Sequence, residues 1–306
     1  MHRAELSLVE FAVAHEDAAL VEEMLLGQGF SPTLKMQPDS TASVEFRIFA
    51  EEESGMSAAE LAARLSELFT GWNRWLNQAV DCFQPMTMQR EDWAESWKQH
   101  FKSLRIGGRL VIRPEWETVK AKPGERVVVL NPGMSFGTGN HGTTRGCLEM
   151  IEYLQRRLGA GASLLDAGCG SGILSMAAVA LGYQPVRAFD NDAESVRIAG
   201  DNLRLAGLAK RVKLDRADLR TFTETSKYRV VAANILASVL RKNAKKLIAL
   251  LDNDSTPAYL IVSGILEEQY EGVKKVFLEL GLTELANRLI EGWKTGCFCC
   301  GKSQPS

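Results

Sequence analysis

Short apolar segments alternate with longer helical patterns through the second half of the chain, and this alternation restricts the fold more than any other feature. Strands are predicted at residues 126–130, 163–167, 186–190, 212–214, 228–233 and 259–262, and helices at 143–158, 172–181, 192–205, 236–251 and 267–280. Strands that alternate with helices of about ten to fifteen residues are typical of a parallel sheet covered on both faces. Ligands bind such sheets beyond the carboxyl ends of the strands.

The first part of the chain has a different order of elements. Its spacing predicts strand, helix, strand, strand, helix and strand at residues 6–13, 16–26, 31–36, 43–49, 57–69 and 78–83. This order suits a small ferredoxin-like α+β domain. Because a chain of 306 residues is about long enough for two domains, we predict an α+β domain over residues 1–86.

An aromatic segment follows this first domain. Trp93, Trp97 and Phe101 recur every four residues, so they share one face of a predicted helix. Such a stripe is typical of a packed connector helix, and the segment has too few Lys and Arg residues for base stacking on a nucleic acid. Residues 87–115 are therefore predicted to be a linker helix and connector, and residues 116–306 the second domain.

Composition and charge exclude several functional classes. Lys and Arg number 36 and Asp and Glu 38, and this balance argues against a protein held mainly by nucleic-acid phosphates. No apolar stretch approaches the ~18 residues of a membrane span, and the start of the chain lacks the pattern of a secretory signal. The six cysteines do not suggest a disulfide framework. These features predict a cytoplasmic protein with no membrane partner.

A glycine-rich turn follows the predicted strand at residues 163–167. Gly168, Gly170 and Gly172 allow the backbone to turn sharply out of the strand and to approach a ligand closely. A dinucleotide fingerprint requires its third glycine one residue later, where Ile173 stands, and no Gly-Lys-Ser/Thr of a Walker loop follows. The turn is therefore interpreted as a nucleotide-type loop, with a purely structural tight turn as the alternative.

Polar residues follow the neighbouring strands. Asp190 ends the strand beside the glycine loop, where it can accept hydrogen bonds from both hydroxyls of a ribose or only mark a helix entry. Asp218 either meets an adenine amino group or is a solvated loop acid. Asn234 offers an acceptor and a donor at the mouth of the sheet, or caps the following helix. A glycine-rich loop that ends in Thr143 and Thr144 is either part of the site or a flexible loop with an N-cap.

These motifs resemble those of a known enzyme family. The glycine loop with Asp190 is similar to the cofactor loop and ribose-binding acid of class I S-adenosylmethionine-dependent methyltransferases. Within this class, four segments resemble the bacterial methyltransferases of large-subunit ribosomal protein L11. These segments are Phe136-Gly137-Thr138-Gly139-x-His141-x-Thr143-Thr144, Asn234-Ile235-Leu236, Ser263-Gly264-Ile265-Leu266 and Asp92-Trp93-x-x-x-Trp97-Lys98-x-x-Phe101. The resemblance covers about residues 90 to 295.

The resemblance implies a fold, a cofactor and a reaction. The fold class is α/β, a Rossmann-like class I methyltransferase domain preceded by a small N-terminal α+β domain that recognises the substrate. The implied cofactor is S-adenosylmethionine, bound by Thr144, Gly168, Gly170, Asp190 and Asn234. The implied reaction transfers methyl groups to lysine side chains, the N-terminal amine or both, in a ribosomal large-subunit protein. Neither a metal nor direct nucleic-acid contact is expected, and the enzyme is predicted to be a monomer.

The chemistry of methyl transfer gives Asn234 a second expected role. The accepting amine must be unprotonated, and the carbonyl oxygen of Asn234 can hold its remaining hydrogens in line, which makes Asn234 the candidate catalytic residue. His141 either accepts the proton or only orders the neighbouring backbone. The general base is therefore left unassigned.

Departures from the family pattern and alternative functions stay open at this point. Gly142 stands where the family often has proline, which predicts a more mobile loop. Cys297, Cys299 and Cys300 lie in the expected final strand and are interpreted as plain strand residues, because neighbouring strand positions face opposite sides. The alternative functions are a related methyltransferase for another protein or a small-molecule amine, a nicotinamide-dependent oxidoreductase, and a non-catalytic cofactor-binding module.

Overall fold

The computed structural model describes residues 5–28, 30, 32–35, 43–50, 56–89, 102–131, 141–252 and 257–301. The chain forms two compact units, Met1–Phe101 and Lys102–Ser306, and each has its own core. The predicted linker helix with Trp93, Trp97 and Phe101 lies outside the described residues. Within the described ranges, every helix is too short or too polar to cross a lipid bilayer.

The described part of the N-terminal unit is a four-stranded antiparallel sheet packed against two α-helices. Its elements are β1 (Glu5–Ala14), α1 (Ala18–Gly27), β2 (Thr33–Lys35), β3 (Ser43–Phe49), α2 (Ala58–Trp72), a 3-10 helix (Asn73–Trp75) and β4 (Gln84–Gln89). The strand order is β2-β3-β1-β4, and adjacent strands run antiparallel. This order is that of a ferredoxin-like unit, as the sequence predicts.

The core of this unit lies between the sheet and its helices. Phe11 of β1 stacks on Phe46 of β3 with ring centroids 5.5 Å apart, and Phe69 of α2 meets Phe11 edge-on at 5.3 Å. Helix α2 begins with a capping box in which Ser57 and Glu60 exchange hydrogen bonds. Its buried residues recur every three or four positions, so one face of the helix covers the sheet.

The segment before β4 differs from the sequence prediction. The predicted strand at residues 78–83 is wrong, because β4 begins only at Gln84. The buried carboxylate of Asp17 instead accepts hydrogen bonds from the backbone N–H groups of Asn77 and Gln78, at 2.9 and 3.1 Å. Backbone donors that are bonded to a side chain are not available to a neighbouring strand. Because Asp17 is far in sequence from residues 78–83, the apolar pattern of that segment gives no indication of these hydrogen bonds.

The second unit contains a mostly parallel sheet flanked by helices. Its elements are β5 (Leu104–Ile106), β6 (Leu110–Pro114), β7 (Arg126–Leu130), α3 (Gly142–Leu158), β8 (Leu164–Ala167), α4 (Ile173–Leu181), β9 (Val186–Asp190), α5 (Ala193–Leu205), β10 (Val212–Arg216), β11 (Val230–Asn234), α6 (Ala237–Ala249), β12 (Ala258–Leu266), α7 (Glu267–Glu279), β13 (Thr283–Ile290) and β14 (Trp293–Cys300). The seven-stranded sheet has the order β10-β9-β8-β11-β12-β14-β13. Its first five strands are parallel, and β14 is antiparallel to β12 and β13. The predicted parallel sheet is confirmed, and β13 adds an edge strand that the sequence analysis does not contain.

Both faces of this sheet are covered. Leu164 of β8 belongs to a buried cluster with residues of α3 and α4, whereas Leu165 belongs to a cluster with residues of α6 and α7. Ile261 and Leu260 of β12 divide in the same way. A strand that is buried on both sides reads as a continuous apolar run, which is why the sequence shows these strands clearly.

Strand β7 belongs to a second, three-stranded sheet. It pairs in parallel with β6, and β6 pairs antiparallel with β5. Ile106, Leu110 and Ile112 are buried in the same cluster as the inner face of α3. Residues 104–114, which the sequence analysis assigns to the connector, are thus part of the core of the second unit. Strand β5 has only three residues and shows no period, whereas β6 has a short apolar run that the prediction leaves in the connector.

Replacing Asp17 with Ala is expected to destabilise the N-terminal unit by about 1.5–3 kcal/mol, because the N–H groups of Asn77 and Gln78 lose a charged acceptor. Urea-dependent hydrogen exchange of peptides from this unit measures the change. Asp81→Ala is the control, since Asp81 is exposed in the same segment, and it is expected to change stability by less than about 0.5 kcal/mol. Unchanged exchange at residues 77 and 78 in the Asp17 variant would contradict this role.

Candidate functional site

The carboxyl ends of β9, β8 and β11 lie side by side at one edge of the seven-stranded sheet. The glycine loop, residues 168–172, follows β8, while Asp190 ends β9 and Asn234 ends β11. Because the three strands are parallel, these groups meet at the edge where such sheets bind ligands. Thr144 joins them from the first turn of α3, with its Oγ1 3.5 Å from Nδ2 of Asn234. The structure thus brings the residues predicted for the site together.

The glycine loop is held against the end of β9. The N–H of Gly168 donates to the carbonyl oxygen of Phe189 at 2.9 Å. The N–H of Gly170 donates to Oδ2 of Asp190 at 2.9 Å. Gly168 has a φ of +82°, and a Cβ at this position would lie 2.6 Å from Cγ2 of Ile235. Residue 168 therefore has to be glycine both for its backbone angle and for space.

Asp190 ties this loop to the start of α5. Its side chain is nearly buried, and Oδ1 accepts from the N–H of Asp192 at 3.1 Å while Oδ2 accepts from Gly170. Asp192 in turn caps α5. Each carboxylate oxygen has two lone pairs, so both oxygens keep acceptor capacity. The carboxylate can hold the loop and accept hydroxyl groups at the same time.

A chain of hydrogen bonds fixes the direction of the Asn234 amide. His141 caps α3 by accepting the N–H of Thr143 at Nδ1, which also lies 2.8 Å from Oγ1 of Thr143. The same hydroxyl oxygen, Oγ1 of Thr143, accepts from Nδ2 of Asn234 at 3.3 Å. The amide nitrogen of Asn234 faces α3. Its carbonyl oxygen faces the other way.

That carbonyl oxygen, Oδ1 of Asn234, is buried and accepts no hydrogen bond from the residues that the structure describes. Leaving a buried acceptor unsatisfied costs about 1–3 kcal/mol, so such an atom calls for an explanation. Capping of the following helix is not the explanation, because α6 begins at Ala237 with Leu236 as its N-cap. That alternative for Asn234 is wrong. An acceptor of this kind suits a ligand that brings a donor.

His141 orders the start of α3. Its Nδ1 is engaged by Thr143, and its ring packs against Trp293 with centroids 4.9 Å apart. Of the two roles predicted for His141, these contacts support the ordering of the neighbouring backbone. The general base stays unassigned.

Strands β12 and β13 contact the first turn of α3. Ser263 of β12 donates through Oγ to the carbonyl oxygen of Thr143 at 3.2 Å. Gly142 is buried, and a Cβ there would lie 2.4 Å from the carbonyl oxygen of Ile290. Gly142 therefore serves a close approach between α3 and the end of β13, rather than only loosening a loop. The loop itself, residues 132–140, lies outside the described residues.

Asp166 is a site residue that the sequence analysis does not single out. It lies on β8, two residues before the glycine loop, and is fully buried. Oδ2 accepts from the N–H and Oγ of Ser175, at 3.1 and 2.7 Å, while the buried Oδ1 has no partner among the described residues. Burial raises the pKa of Asp166 to about 7. The sequence signal that could have identified Asp166 is an acidic residue within an otherwise apolar predicted strand.

Asp218 forms an ion pair in the loop after β10. Its carboxylate accepts from the backbone N–H of Arg220 at 2.8 Å and from the guanidinium at 2.6 Å. These hydrogen bonds lower the pKa of Asp218 to about 2. The structure therefore favours the solvated loop acid over an acceptor for an adenine amino group.

The C-terminal cysteines are residues of β14. Cys297 and Cys299 are buried on the side of α3, and Cys300 packs against the cluster on the opposite face. Burial raises the pKa of Cys297 to about 12, so its thiol stays protonated. In the described parts of the chain, no three His, Cys, Asp or Glu side chains are grouped to hold a metal ion.

The sequence matches one family over most of its length. The family described as ribosomal protein L11 methyltransferase (PrmA) matches residues 9–298. A relative of that name from Geobacter metallireducens is 44% identical over 218 residues, which are 71% of this chain and 69% of the relative. Another, from Syntrophotalea carbinolica, is 35% identical over 299 residues, which are 96% of this chain and 87% of the relative.

A solved structure supports the same comparison. The ribosomal protein L11 methylase from Lactobacillus delbrueckii subsp. bulgaricus is 27% identical, and the match has a TM-score of 0.57. It covers 65% of this chain and 97% of that chain. The matched family region contains all the candidate site residues from Thr144 to Asn234.

Asp166 is expected to make stability depend on pH. Its pKa of about 7 in the folded chain lies above the ordinary value of 3.8, so the folded state binds the proton more tightly. Its contribution to stability is present at low pH and is lost as the pH rises towards 7. The melting temperature of Asp166→Asn relative to the wild type is therefore expected to rise between about pH 4 and pH 7 and to stay level at higher pH. Calorimetry at several pH values measures this difference, and a constant difference would contradict the assignment.

Proposed function

Because the chain belongs to the ribosomal protein L11 methyltransferase family, we propose that it transfers methyl groups from S-adenosylmethionine to amino groups of ribosomal protein L11. The proposed acceptors are lysine side chains, the N-terminal amine or both. The observation that carries the proposal is the buried, unused acceptor of Asn234 at the edge where the glycine loop and Asp190 meet. Another protein or a small-molecule amine is the alternative substrate. The family name describes a methyltransferase. This disfavours the other two alternatives, a nicotinamide-dependent oxidoreductase and a non-catalytic cofactor-binding module.

The residues at the sheet edge fit S-adenosylmethionine. The glycine loop, with Gly168 and Gly170, lets a ligand approach the backbone, and Asp190 keeps acceptor capacity for two ribose hydroxyls. Thr144 and Asn234 add polar groups from α3 and β11. We propose that these residues hold the cofactor. When bound, S-adenosylmethionine supplies a methyl group on a positively charged sulfur that is already activated for transfer.

The remaining task of the chain is to present an unprotonated amine. Deprotonating a lysine of ordinary pKa ~10.4 at pH 7 costs roughly 4.6 kcal/mol. Exclusion of water lowers the pKa of an amine. Oδ1 of Asn234 then accepts an N–H of the neutral amine, which directs the nitrogen lone pair. Because Thr143 anchors the amide nitrogen, this direction is set before the substrate arrives.

We also propose that the N-terminal unit, residues 1–86, recognises the ribosomal protein. The candidate site is built from residues of the second unit, which leaves recognition as a task for the first. Trp75 of this unit is 62% exposed, and the guanidinium carbon of Arg74 lies 4.9 Å from the centre of its ring. Trp and Arg are enriched among the residues that dominate protein interfaces. Because the proposed substrate is a ribosomal protein, we propose that the enzyme acts in the cytoplasm. We further propose that the enzyme is a monomer.

Incubation with labelled S-adenosylmethionine and purified ribosomal protein L11 is expected to label L11 on amino groups. Peptide mass spectrometry then identifies the modified amines. Asp190→Ala is the matched control and is expected to label L11 less at sub-saturating S-adenosylmethionine, since it removes the proposed acceptor for the ribose hydroxyls. If a cell extract yields a labelled small amine or another protein while L11 stays unlabelled, the alternative substrate is correct.

Asn234→Ala is expected to lower kcat by about a hundredfold, because alignment of the amine is lost. The affinity for S-adenosylmethionine should change much less, since Asp190 and the glycine loop are intact. Asp190→Ala is expected to show the opposite pattern, with binding weaker by about 1.5–3 kcal/mol. Steady-state kinetics and titration calorimetry measure both effects. Equal losses of kcat and affinity in Asn234→Ala would make this residue a cofactor ligand only.

A chain that begins at Met88 is expected to bind S-adenosylmethionine nearly as tightly as the full chain and to lose most methylation of L11. The reason is that the proposed recognition unit is removed while the candidate site is kept. Calorimetry gives the affinity, and initial rates with L11 give the loss. Full-length rates from the shortened chain would show that the N-terminal unit has no part in recognition.

A further inference from the structure

We propose that Asn202 is a positioning residue for cofactor binding, an inference that rests on the proposed function. Asn202 lies on α5 and is 1% exposed. Its Nδ2 donates to the carbonyl oxygen of Ser171 in the glycine loop at 3.0 Å. Its Oδ1 accepts from the backbone N–H of Asn131, the residue after β7, also at 3.0 Å. One buried amide therefore joins the glycine loop to the exit of another strand.

The surroundings of Asn202 make this link specific. The other buried residues of α5 are apolar, Ala199 and Leu203, so the helix packs inward through a stripe in which Asn202 is the polar member. A buried amide is costly unless it is hydrogen-bonded, and here both ends of the side chain have backbone partners. A Cβ on Gly172 would lie 3.2 Å from Cβ of Ala199. Helix α5 thus supports the end of the loop by contact as well as by the hydrogen bond.

The loop needs such support because of its composition. Gly168, Gly170 and Gly172 all have positive φ angles, and glycine has more conformational freedom to lose than any other residue. The end of β9 holds the first half of the loop, through Phe189 and Asp190. Asn202 holds the second half at residue 171. Without Asn202, binding the cofactor has to order this half of the loop, and the affinity falls accordingly.

The main test compares Asn202→Ala with the wild type. The dissociation constant for S-adenosylmethionine is expected to rise about tenfold. The value of kcat at saturating cofactor is expected to stay within about threefold of the wild type, because Asn202 does not touch the reacting atoms. A residue with only a structural role would lower the melting temperature and leave the affinity unchanged well below that temperature. That second pattern would overturn the proposal.

Asn202→Asp distinguishes the two hydrogen bonds of Asn202, and it is measured at a pH at which the new carboxyl group is ionised. The carboxylate then still accepts from the N–H of Asn131 but cannot donate to Ser171, so the affinity is expected to fall as in the Ala variant. Asn243→Asp is the matched control, since Nδ2 of Asn243 donates to the carbonyl oxygen of Val239 within α6. This control is expected to bind the cofactor like the wild type. Wild-type affinity in Asn202→Asp would overturn the proposal.

A measurement on the wild type keeps the test valid if either Asn202 variant fails to fold. Hydrogen exchange with and without S-adenosylmethionine is expected to slow at Asn131 together with the glycine loop, because Asn202 connects them. Slowing in the loop alone would overturn the link. A wild-type chain that does not bind S-adenosylmethionine would refute the proposed function itself. If the wild type binds and Asn202→Ala binds equally tightly, only the positioning role is refuted.

Discussion

The position of β8 between β9 and β11 decides where the glycine loop, Asp190 and Asn234 lie. Each pairing is parallel, with Asp166 opposite Ala188 on one side and Ala232 on the other. The strand is buried on both faces and hydrogen-bonded on both sides. Three strand ends are thereby fixed at one edge. The glycine loop, the acid of β9 and the amide of β11 become neighbours although they are far apart in sequence.

Polar groups at this edge are held mainly by backbone atoms and short side chains. Asp190 accepts two backbone N–H groups, and the first turn of α3 orients Asn234 through Thr143. Two buried oxygens, on Asp166 and Asn234, are left without partners among the described residues. The two differ in chemistry, because a carboxyl group whose pKa is about 7 can relieve its burial by taking up a proton, whereas an amide oxygen cannot. Only the amide oxygen of Asn234 needs a hydrogen-bond donor from a ligand.

The sequence predicts the placement of these residues at the sheet edge better than it predicts the peripheral strands, and the reason is physical. Residues that end a buried parallel strand are marked by the apolar run before them, so Asp190 and Asn234 can be located without a structure. Strand β5 is short and β13 is half exposed, and neither gives such a run. Their places depend on packing partners that are distant in sequence.

The same reasoning explains the errors at individual side chains. Asp17 bonds to residues about 60 positions away, and no local pattern shows that it removes a predicted strand. Asp166 follows two leucines and reads as a charge in an apolar strand, but its protonation depends on complete burial in the folded chain. Tertiary contacts, not residue preferences, settle both of these cases.

The two sides of the candidate site are supported by different helices, and this separation bears on how the proposed enzyme works. On the α5 side, Asn202 and the cap Asp192 steady the glycine loop and Asp190, which are proposed to hold the methyl donor. On the α3 side, Thr143 sets the direction of the Asn234 oxygen, which is proposed to hold the amine. Substitutions on the α5 side should therefore act on cofactor affinity, and those on the α3 side on the alignment of the amine. In the proposed reaction the methyl group moves along the line between donor and acceptor, and the paired, buried strands β8 and β11 lie between the two supports.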